Sequence, residues 1–332
     1  MSASNRRKHV PVSYVQIDGL VVLKMIKHCQ EEGTGGNDLV QGVLLGLVEN
    51  NRLEVTNCFP FPRHADDEEF DEVLYQLEMM KNLRHVNIDH LHVGWYQSTL
   101  FGTYLNKALL DSQFNYQHSI DESIVLVYDP IRTSKGLLAL KALRLTPSMM
   151  QLYRDGDFTP DTIKNNELSF ETMFEEVPVV ITNSHLVKFL LCEIEEAMPQ
   201  DNKYSFLDLS SSSFLEKNLR LLIDSVDDLA QDSNKFFNYQ RTLAKQNLAK
   251  QVYINKRQQE NKSRQDRNEP PLPDDDINKM FKPPPMPSRL DSLLLTAQIG
   301  TYTNQISDLA NQNLGKLFIV DHLHEDIAGA IH

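Results

Sequence analysis

Residues His90 to Thr99 read HLHVGWYQST and join two histidines to an apolar, strand-like centre and a polar end. Alternate residues of an extended strand project from one face, so His90 and His92 could bind a single zinc ion. The competing interpretation treats Leu91 to Tyr96 as a buried strand, with the ligand positions of a metal site placed after it, at Gln97 to Thr99. The first interpretation predicts a metalloenzyme, whereas the second predicts a domain that has lost its metal.

The composition argues against several classes of protein. A chain of 332 residues can form a compact domain and further elements. The formal net charge of −13 disfavours a broad nucleic-acid-binding surface. The three cysteines are far apart and lack a CxxC pair, which argues against a cysteine zinc site and favours the cytoplasm. No run of 18 apolar residues occurs, so no membrane span is expected, and residues 1–9 are predicted to be a flexible N terminus.

The first half of the chain alternates strand and helix patterns. Strands are predicted at 10–17, 39–48, 53–59, 91–96, 123–128, 137–145 and 177–181. Helices are predicted at 19–31, 66–82, 103–111 and 184–197, with an irregular connection at 158–173. The apolar residues assigned to buried helix faces are Leu20, Leu23 and Ile26 in the first helix, and Phe70, Val73, Leu74, Leu77 and Met80 in the second. This order predicts a mixed α/β (α+β) domain over 10–200, with a β-sheet flanked by helices.

The second half is predicted to contain long helices and a proline-rich linker. Ser213 and Glu216 form a capping box for a helix over 205–260, followed by a polar, proline-rich linker over 261–287. A last helix is predicted over 288–322, with a tail over 323–332. The candidate partner-binding residues are Leu215, Leu219, Leu222, Val226 and Leu229 in the first helix, and Leu290, Leu293, Leu294, Ile306 and Leu309 in the second. These residues form a narrow apolar stripe along each long helix, which favours docking on other proteins. Packing on the chain's own core is the alternative.

The end of the first long helix is basic. Its positive residues are Lys250, Lys256, Arg257, Lys262, Arg264 and Arg267. A solvated helix fading into a linker is the favoured interpretation. Contact with RNA is the alternative, but only Tyr253 supplies an aromatic ring for stacking on bases.

The strand Val93-Gly94-Trp95-Tyr96, preceded by Gln41-Gly42-Val43-Leu44-Leu45-Gly46, resembles the MPN domain of the proteasome lid, the signalosome and translation initiation factor 3. The resemblance covers roughly residues 10 to 190. In catalytic members, it implies that two histidines and an aspartate hold zinc while a glutamate handles the proton of the zinc-bound water.

Laid on that pattern, the catalytic positions of this chain hold other residues. Gln97 and Thr99 stand where the histidines would be, Leu110 where the aspartate would be, and Leu39 where the glutamate would be. An amide and a hydroxyl bind Zn²⁺ far more weakly than imidazole, and leucine offers neither a ligand nor a base. The resemblance therefore implies no catalytic residue, no metal and no cofactor. His92 precedes the VGWY strand and would lie at the wrong end of the sheet.

Several motifs narrow the resemblance to the H-subunit family of eukaryotic translation initiation factor 3. They are VQGVLLGL at 40–47, NCFPFP at 57–62, HVNIDHLHVGWYQST at 85–99, EEVP at 175–178 and NLGKLF at 313–318. This resemblance implies a non-catalytic scaffold that pairs with a second MPN subunit and joins a helical bundle of sibling subunits. Through the complex it would bind the small ribosomal subunit and support recruitment of mRNA and initiator tRNA.

Two alternatives remain at this point. One is an inactive scaffold of the signalosome or proteasome lid, and the other is a zinc-dependent isopeptidase that uses His90 and His92. The scaffold interpretation also predicts that deleting residues 288–332 releases the partners and leaves the first domain folded.

Overall fold

The computed structural model describes residues 12–32, 39–49, 51–62, 72–87, 91–134, 138–197, 207, 209, 212–267, 280–282 and 284–331. The predicted N-terminal segment 1–9, the start of the second helix at 66–71 and residues 268–279 and 283 of the linker lie outside these residues, as does His90.

Within the described residues, one mixed sheet contains the strands. Its strands are β1 (Tyr14–Asp18), β2 (Gln41–Glu49), β3 (Arg52–Pro60), β4 (His92–Ser98), β5 (Ile124–Tyr128), β6 (Leu140–Leu145), β7 (Phe174–Val177) and β8 (Val179–Thr182), in the spatial order β7-β6-β5-β4-β2-β3-β1-β8. β1 runs parallel to β3 and β8, and β4 runs parallel to β5, while the other pairs are antiparallel. The predicted mixed sheet is confirmed.

Helices cover both faces of this sheet and extend beyond it. They are α1 (Gly19–Glu32), α2 (Glu72–His85), α3 (Lys107–Ser119), α4 (Pro130–Thr133), α5 (Pro147–Asp155), α6 (Pro160–Asn165), α7 (His185–Ala197), α8 (Ser212–Asp266) and α9 (Leu290–Ile331). The long C-terminal helices are therefore confirmed. α8 begins later and ends later than predicted, and α9 includes residues 323–331, which the sequence assigned to a tail.

The VGWY residues contact one helix on each face of the sheet. A β-bulge at Val93 turns this side chain into the same apolar cluster as Tyr96, whose hydroxyl lies 2.8 Å from Nδ1 of His28 on α1. Trp95 points the other way and donates from Nε1 to Gln113 on α3, at 2.9 Å. Gly94 is required between them, because a Cβ there would overlap the carbonyl oxygen of Ile124 on β5.

Several elements of the domain differ from the sequence-based expectation. α3 begins at Lys107, not at residue 103, because the Asn106 side chain accepts a hydrogen bond from the Leu109 amide and caps the helix. α5 was not predicted, although Thr146 as a cap before Pro147 is a recognisable helix start. α6 lies where an irregular connection was expected, and β7 and β8 replace the single strand predicted at 177–181.

The predicted buried faces of α1 and α2 are wrong at most positions, although Ile26 packs against the core and Met80 is half-buried, while Phe70 lies outside the described residues. α1 buries Val21, Val22 and Met25, whereas Leu20 and Leu23 are exposed. Because the residues at 20–23 are all apolar, their spacing does not determine which side of the helix faces the core. The hydrogen bond from the Gly19 amide to the Asn183 side chain fixes this rotation at the start of the helix. In α2 the contacts with the sheet come from Tyr75, Met79 and Leu83, while Val73, Leu74 and Leu77 are exposed.

The first half of α9 is part of the domain core, contrary to its predicted role as a partner element. Leu290 and Leu294 are buried in one apolar cluster with Leu110, Met149 and Leu152, and Leu293 packs against this cluster. The assignment of Leu290, Leu293 and Leu294 to partner binding is therefore corrected. Leu309 is also buried and Ile306 is half-buried.

The start of α9 packs against α8 around Asp232 and Phe236. Asp232 accepts hydrogen bonds from Arg289 and Ser292, and the Arg289 guanidinium lies 4.7 Å from the ring centre of Phe236. The α8 residues buried at its start are Phe214 and Asn218. These contacts fold the two helices back on the domain.

Candidate functional site

Leu39, Gln97, Thr99 and Leu110, which replace the catalytic residues of the MPN pattern, are termed the degenerate metal positions. The first three lie at one edge of the sheet. The Val40 amide donates to Oγ of Ser98 at 2.8 Å, and the Ser98 amide donates to the Val40 carbonyl at the same distance. These bonds place Leu39, before β2, beside the end of β4 that carries Gln97 and Thr99. The structure therefore brings these three predicted positions together.

Gln97 and Thr99 are buried, and neither supplies the imidazole nitrogen that zinc prefers. Gln97 accepts a hydrogen bond from the Gln41 side chain at 3.2 Å, so its carbonyl oxygen is already used. The amide of Thr99 donates to the Tyr128 carbonyl at 2.8 Å, which ties the end of β4 to β5. Leu39 is exposed and has no polar side-chain atom. The donor set does not fit zinc.

Leu110 is fully buried in the apolar cluster that includes α9. An aspartate at this position would place a carboxylate among Leu145, Met149 and Leu290. Burial of a charge without a partner is costly. Leucine at this position therefore removes a metal ligand and also allows α9 to pack on the domain.

The His92 ring is engaged in a structural contact. Its Nε2 donates to the Gly94 carbonyl at 2.8 Å, and its ring lies edge-on to Tyr116. Burial lowers the pKa of His92, and the hydrogen bond to Gly94 opposes this effect. Among the described residues, no group of three or more His, Cys, Asp and Glu side chains could hold a metal ion.

We expect purified protein to contain no stoichiometric zinc, because the donor set at the degenerate site is an amide, a hydroxyl and two leucines. Elemental analysis by plasma mass spectrometry after dialysis checks this. A double substitution, His90→Ala with His92→Ala, is expected to leave the zinc content unchanged. About one zinc per chain that disappears in this variant would restore the isopeptidase hypothesis.

α9 lies across the loop that follows the degenerate positions. The Gln298 side chain donates to the Gly102 carbonyl at 2.8 Å and accepts from the Leu105 amide at 3.0 Å. The Tyr302 and Thr103 hydroxyls lie 2.9 Å apart. Gly102 has a φ of 75°, in the left-handed region, and a Cβ there would overlap Gln305. The loop conformation and the helix position therefore support each other.

Beneath α9 lies a cavity of about 530 Å³, lined by Thr99 and by residues of β5, β6, α4 and α9. Asp129 is its buried carboxylate, with one oxygen, Oδ1, accepting from the amides of Ile131 and Arg132 at the start of α4. Burial raises the pKa of Asp129, and these hydrogen bonds oppose the rise. No helix was predicted here, although Asp before Pro is a helix-cap signal.

Exposed apolar side chains lie mainly on helices. Every residue of α7 is exposed, including Leu186 at 84% and Phe189 at 66%. The second half of α9 exposes Leu314, Leu317 and Phe318. On α8, Leu215, Leu219 and Val226 are exposed, whereas Leu222 and Leu229 are half-buried. Exposed apolar side chains grouped on helices in this way are typical of protein-protein contact surfaces.

The basic end of α8 continues as helix to Asp266, and Arg264 pairs with Glu260 at 3.7 Å. This contact fits a solvated helix. No helix in the described part of the chain combines the length and apolar character needed to cross a membrane.

Two family models match this sequence. The model described as the C-terminal region of eIF3h matches residues 133–329, and the model described as JAB1/Mov34/MPN/PAD-1 ubiquitin protease matches residues 11–122. The H-B subunit of eukaryotic translation initiation factor 3 from Danio rerio is 58% identical over 314 residues, covering 94% of each chain. The H subunit from Nematostella vectensis is 57% identical over 95% of each chain. The H subunit from Bombyx mori is 47% identical over 94% of this chain and 92% of its own length.

Proposed function

The chain belongs to the H-subunit family of eukaryotic translation initiation factor 3, a family with a non-catalytic MPN domain, and we propose that it acts as a scaffold within that complex. The observation that carries this proposal is the contrast between its two kinds of surface. Gln97, Thr99 and Leu110 of the degenerate metal site are buried, and α9 covers part of the site, while apolar helix faces are exposed. The exposed apolar faces support partner binding, and the described residues of the degenerate site do not form an open metal centre.

We propose that α7 contributes to pairing with a second MPN subunit. This helix is exposed along its whole length, and its apolar residues Leu186, Phe189 and Leu190 need a partner to bury them. Leu20 and Leu23 on α1 are further exposed apolar residues of the same domain. The partner is expected to offer an apolar helix face, because helix-on-helix packing buries such side chains efficiently.

The second half of α9 is proposed to join a helical bundle of sibling subunits. Its apolar residues Leu314, Leu317 and Phe318 are exposed, whereas its first half is held by the domain. The exposed α8 residues Leu215, Leu219 and Val226 are proposed as a further partner surface. α9 thus connects the domain to the bundle through one continuous helix of 42 residues.

Through these contacts the chain is proposed to act in the cytoplasm, where the complex binds the small ribosomal subunit and supports recruitment of mRNA and initiator tRNA. Its own contribution is structural. Direct RNA contact by the basic end of α8 is the less favoured role, because Arg264 is paired within the helix and the whole chain carries a net charge of −13.

Affinity purification of the tagged full-length chain from cells, followed by mass spectrometry, tests this assignment. We expect recovery of initiation factor 3 subunits, and recovery of signalosome or proteasome-lid subunits instead would contradict it. The double substitution Leu317→Asp with Phe318→Asp is expected to reduce recovery of bundle subunits at least about tenfold, because charge at a buried apolar contact costs more than about 1.4 kcal/mol. Phe189→Asp should selectively reduce recovery of the MPN partner.

Asn311→Asp with Gln312→Glu is the matched control, since the pair adds the same two negative charges at exposed positions of the same half of α9. We expect it to retain all partners. Thermal unfolding of the purified variants should match the parent, because Leu317 and Phe318 are exposed at 52% and 61% in the isolated chain. Full recovery of bundle subunits by the Leu317 and Phe318 double variant would refute the role given to α9.

A further inference from the structure

Three residues that line the cavity beneath α9 carry buried oxygens that the chain itself does not satisfy. Oγ1 of Thr99, Oδ2 of Asp129 and Oε1 of Gln305 are buried and have no hydrogen-bond partner. All three residues line the same cavity of about 530 Å³. The Gly102 amide lies close enough to lower the pKa of Asp129, but it makes no hydrogen bond to Oδ2. Thr99 and Asp129 are 2% and 4% exposed, so their polar atoms have given up water without gaining a partner.

The charges around the cavity favour a cationic ligand. Arg132 lies 3.5 Å from Asp308, and Lys141 lies 2.9 Å from Glu176, so both positive groups have carboxylate partners. The Arg132 charge lowers the pKa of Asp129. No cationic side chain in the described part of the chain, however, hydrogen-bonds to this carboxylate. A ligand that brings a positive charge and donors would compensate it.

The number of available oxygens distinguishes between cations. A guanidinium is suited to two parallel hydrogen bonds with one carboxylate. Asp129 offers only Oδ2, because Oδ1 already accepts from the amides of Ile131 and Arg132. An ammonium group carries three donors and no acceptor, which matches single oxygens from Thr99, Asp129 and Gln305.

The remaining wall of the cavity suits an aliphatic stem. Tyr104, Val127 and Leu140 line it, and the first two are buried. We propose that this cavity binds a primary ammonium group on an aliphatic stem, the group that lysine side chains and alkylamines carry. Gln305 belongs to α9, so the site is complete only while this helix is docked on the domain. The proposal does not depend on the assembly role.

Titration of the ¹⁵N-labelled full-length chain with small probes tests this proposal. Nα-acetyl-lysine methylamide is expected to bind with a millimolar dissociation constant and to shift the amide resonances of Thr99, Gly102 and Gln305. Nα-acetyl-norleucine methylamide, which lacks the ammonium group, should not bind. n-Butylamine separates the two sources of the ligand. Binding as tight as that of the lysine derivative indicates that a free amine suffices, whereas weaker binding indicates a lysine within a polypeptide.

Asp129→Asn removes the charge and keeps an oxygen that can cap α4. We expect it to weaken binding of the lysine derivative at least about tenfold, the effect of losing a charged hydrogen bond. Asp155→Asn, at an exposed end of α5, is the matched control and should bind like the parent. Thr99→Val provides a second variant if Asp129→Asn fails to fold. Equal binding of the norleucine derivative, or unchanged affinity in folded Asp129→Asn or Thr99→Val, would overturn the proposal.

Discussion

Removal of residues 288–332 is expected to unfold or severely destabilise the MPN domain, because α9 supplies part of its core. Leu290, Leu294, Tyr302 and Leu309 are buried against the rest of the chain. At roughly 1.5–3 kcal/mol for each large apolar side chain, their loss costs about 6 kcal/mol or more. The total stability of a typical domain is only about 5–15 kcal/mol. The sequence alone predicted that this deletion would leave the domain folded, and the structure contradicts that expectation.

A shorter deletion separates the two halves of α9. Removing residues 312–332 keeps Leu290, Leu294 and Leu309 and discards the exposed Leu317 and Phe318. We expect this variant to unfold at nearly the same denaturant concentration as the full chain and to lose its bundle partners. Denaturation followed by circular dichroism, with purification of partners in parallel, measures both effects. A cooperative, parent-like transition after deletion of 288–332 would show that α9 is not part of the core.

Leu110→Asp is expected to destabilise the fold by about 3–5 kcal/mol at neutral pH, although it introduces the residue type of the catalytic enzymes. Leu110 is fully buried among apolar residues of α3, α5 and α9. No cation in this cluster could pair with the new carboxylate. The change shows why the metal site cannot be rebuilt one ligand at a time.

The loss should depend on pH in a defined direction. Burial raises the pKa of the new carboxyl in the folded state above its value of about 3.9 in the unfolded chain. The folded state therefore binds the proton more tightly, and the variant is most stable below about pH 3.9 relative to the parent. Its relative stability then falls as the pH rises through the higher folded-state pKa.

Leu110→Asn is the matched control for charge, since it has the same shape and does not titrate. Its stability difference from the parent should stay constant between about pH 4 and pH 7, apart from changes shared with the parent. Chemical denaturation at several pH values gives both differences. Identical pH profiles for the Asp and Asn variants would contradict the buried environment assigned to Leu110.

Local patterns predicted the elements whose signals lie within a few residues. The strands of the first half follow their β-branched and alternating sequences, and the VGWY motif marks β4 because only glycine fits beside Ile124. The absence of imidazole at 97 and 99 was likewise visible in the sequence. Helix starts with a capping residue, such as Asn106 and Thr146, were also present, although they were overlooked.

The partner surfaces required the tertiary structure. The apolar residues of α9 have helical spacing both before and after residue 310, so spacing alone assigns the same role to both halves. Only the position of α5 and the loop at 99–106 shows that Leu294 is internal while Leu317 is exposed. The same holds for α1, where adjacent apolar residues permit more than one rotation and the Gly19 to Asn183 contact fixes it.

The sequence by itself therefore determined the mixed sheet, the long helices and the loss of the metal ligands, because each depends on residue types and on short-range spacing. The tertiary structure alone decided which apolar faces are internal, that α9 covers part of the degenerate site, and that Thr99, Asp129 and Gln305, each with an unpaired buried oxygen, line one cavity. These features depend on contacts between residues nearly 200 positions apart, such as Gln298 and Gly102. Such contacts arise from packing free energy over the whole chain, which no local pattern contains.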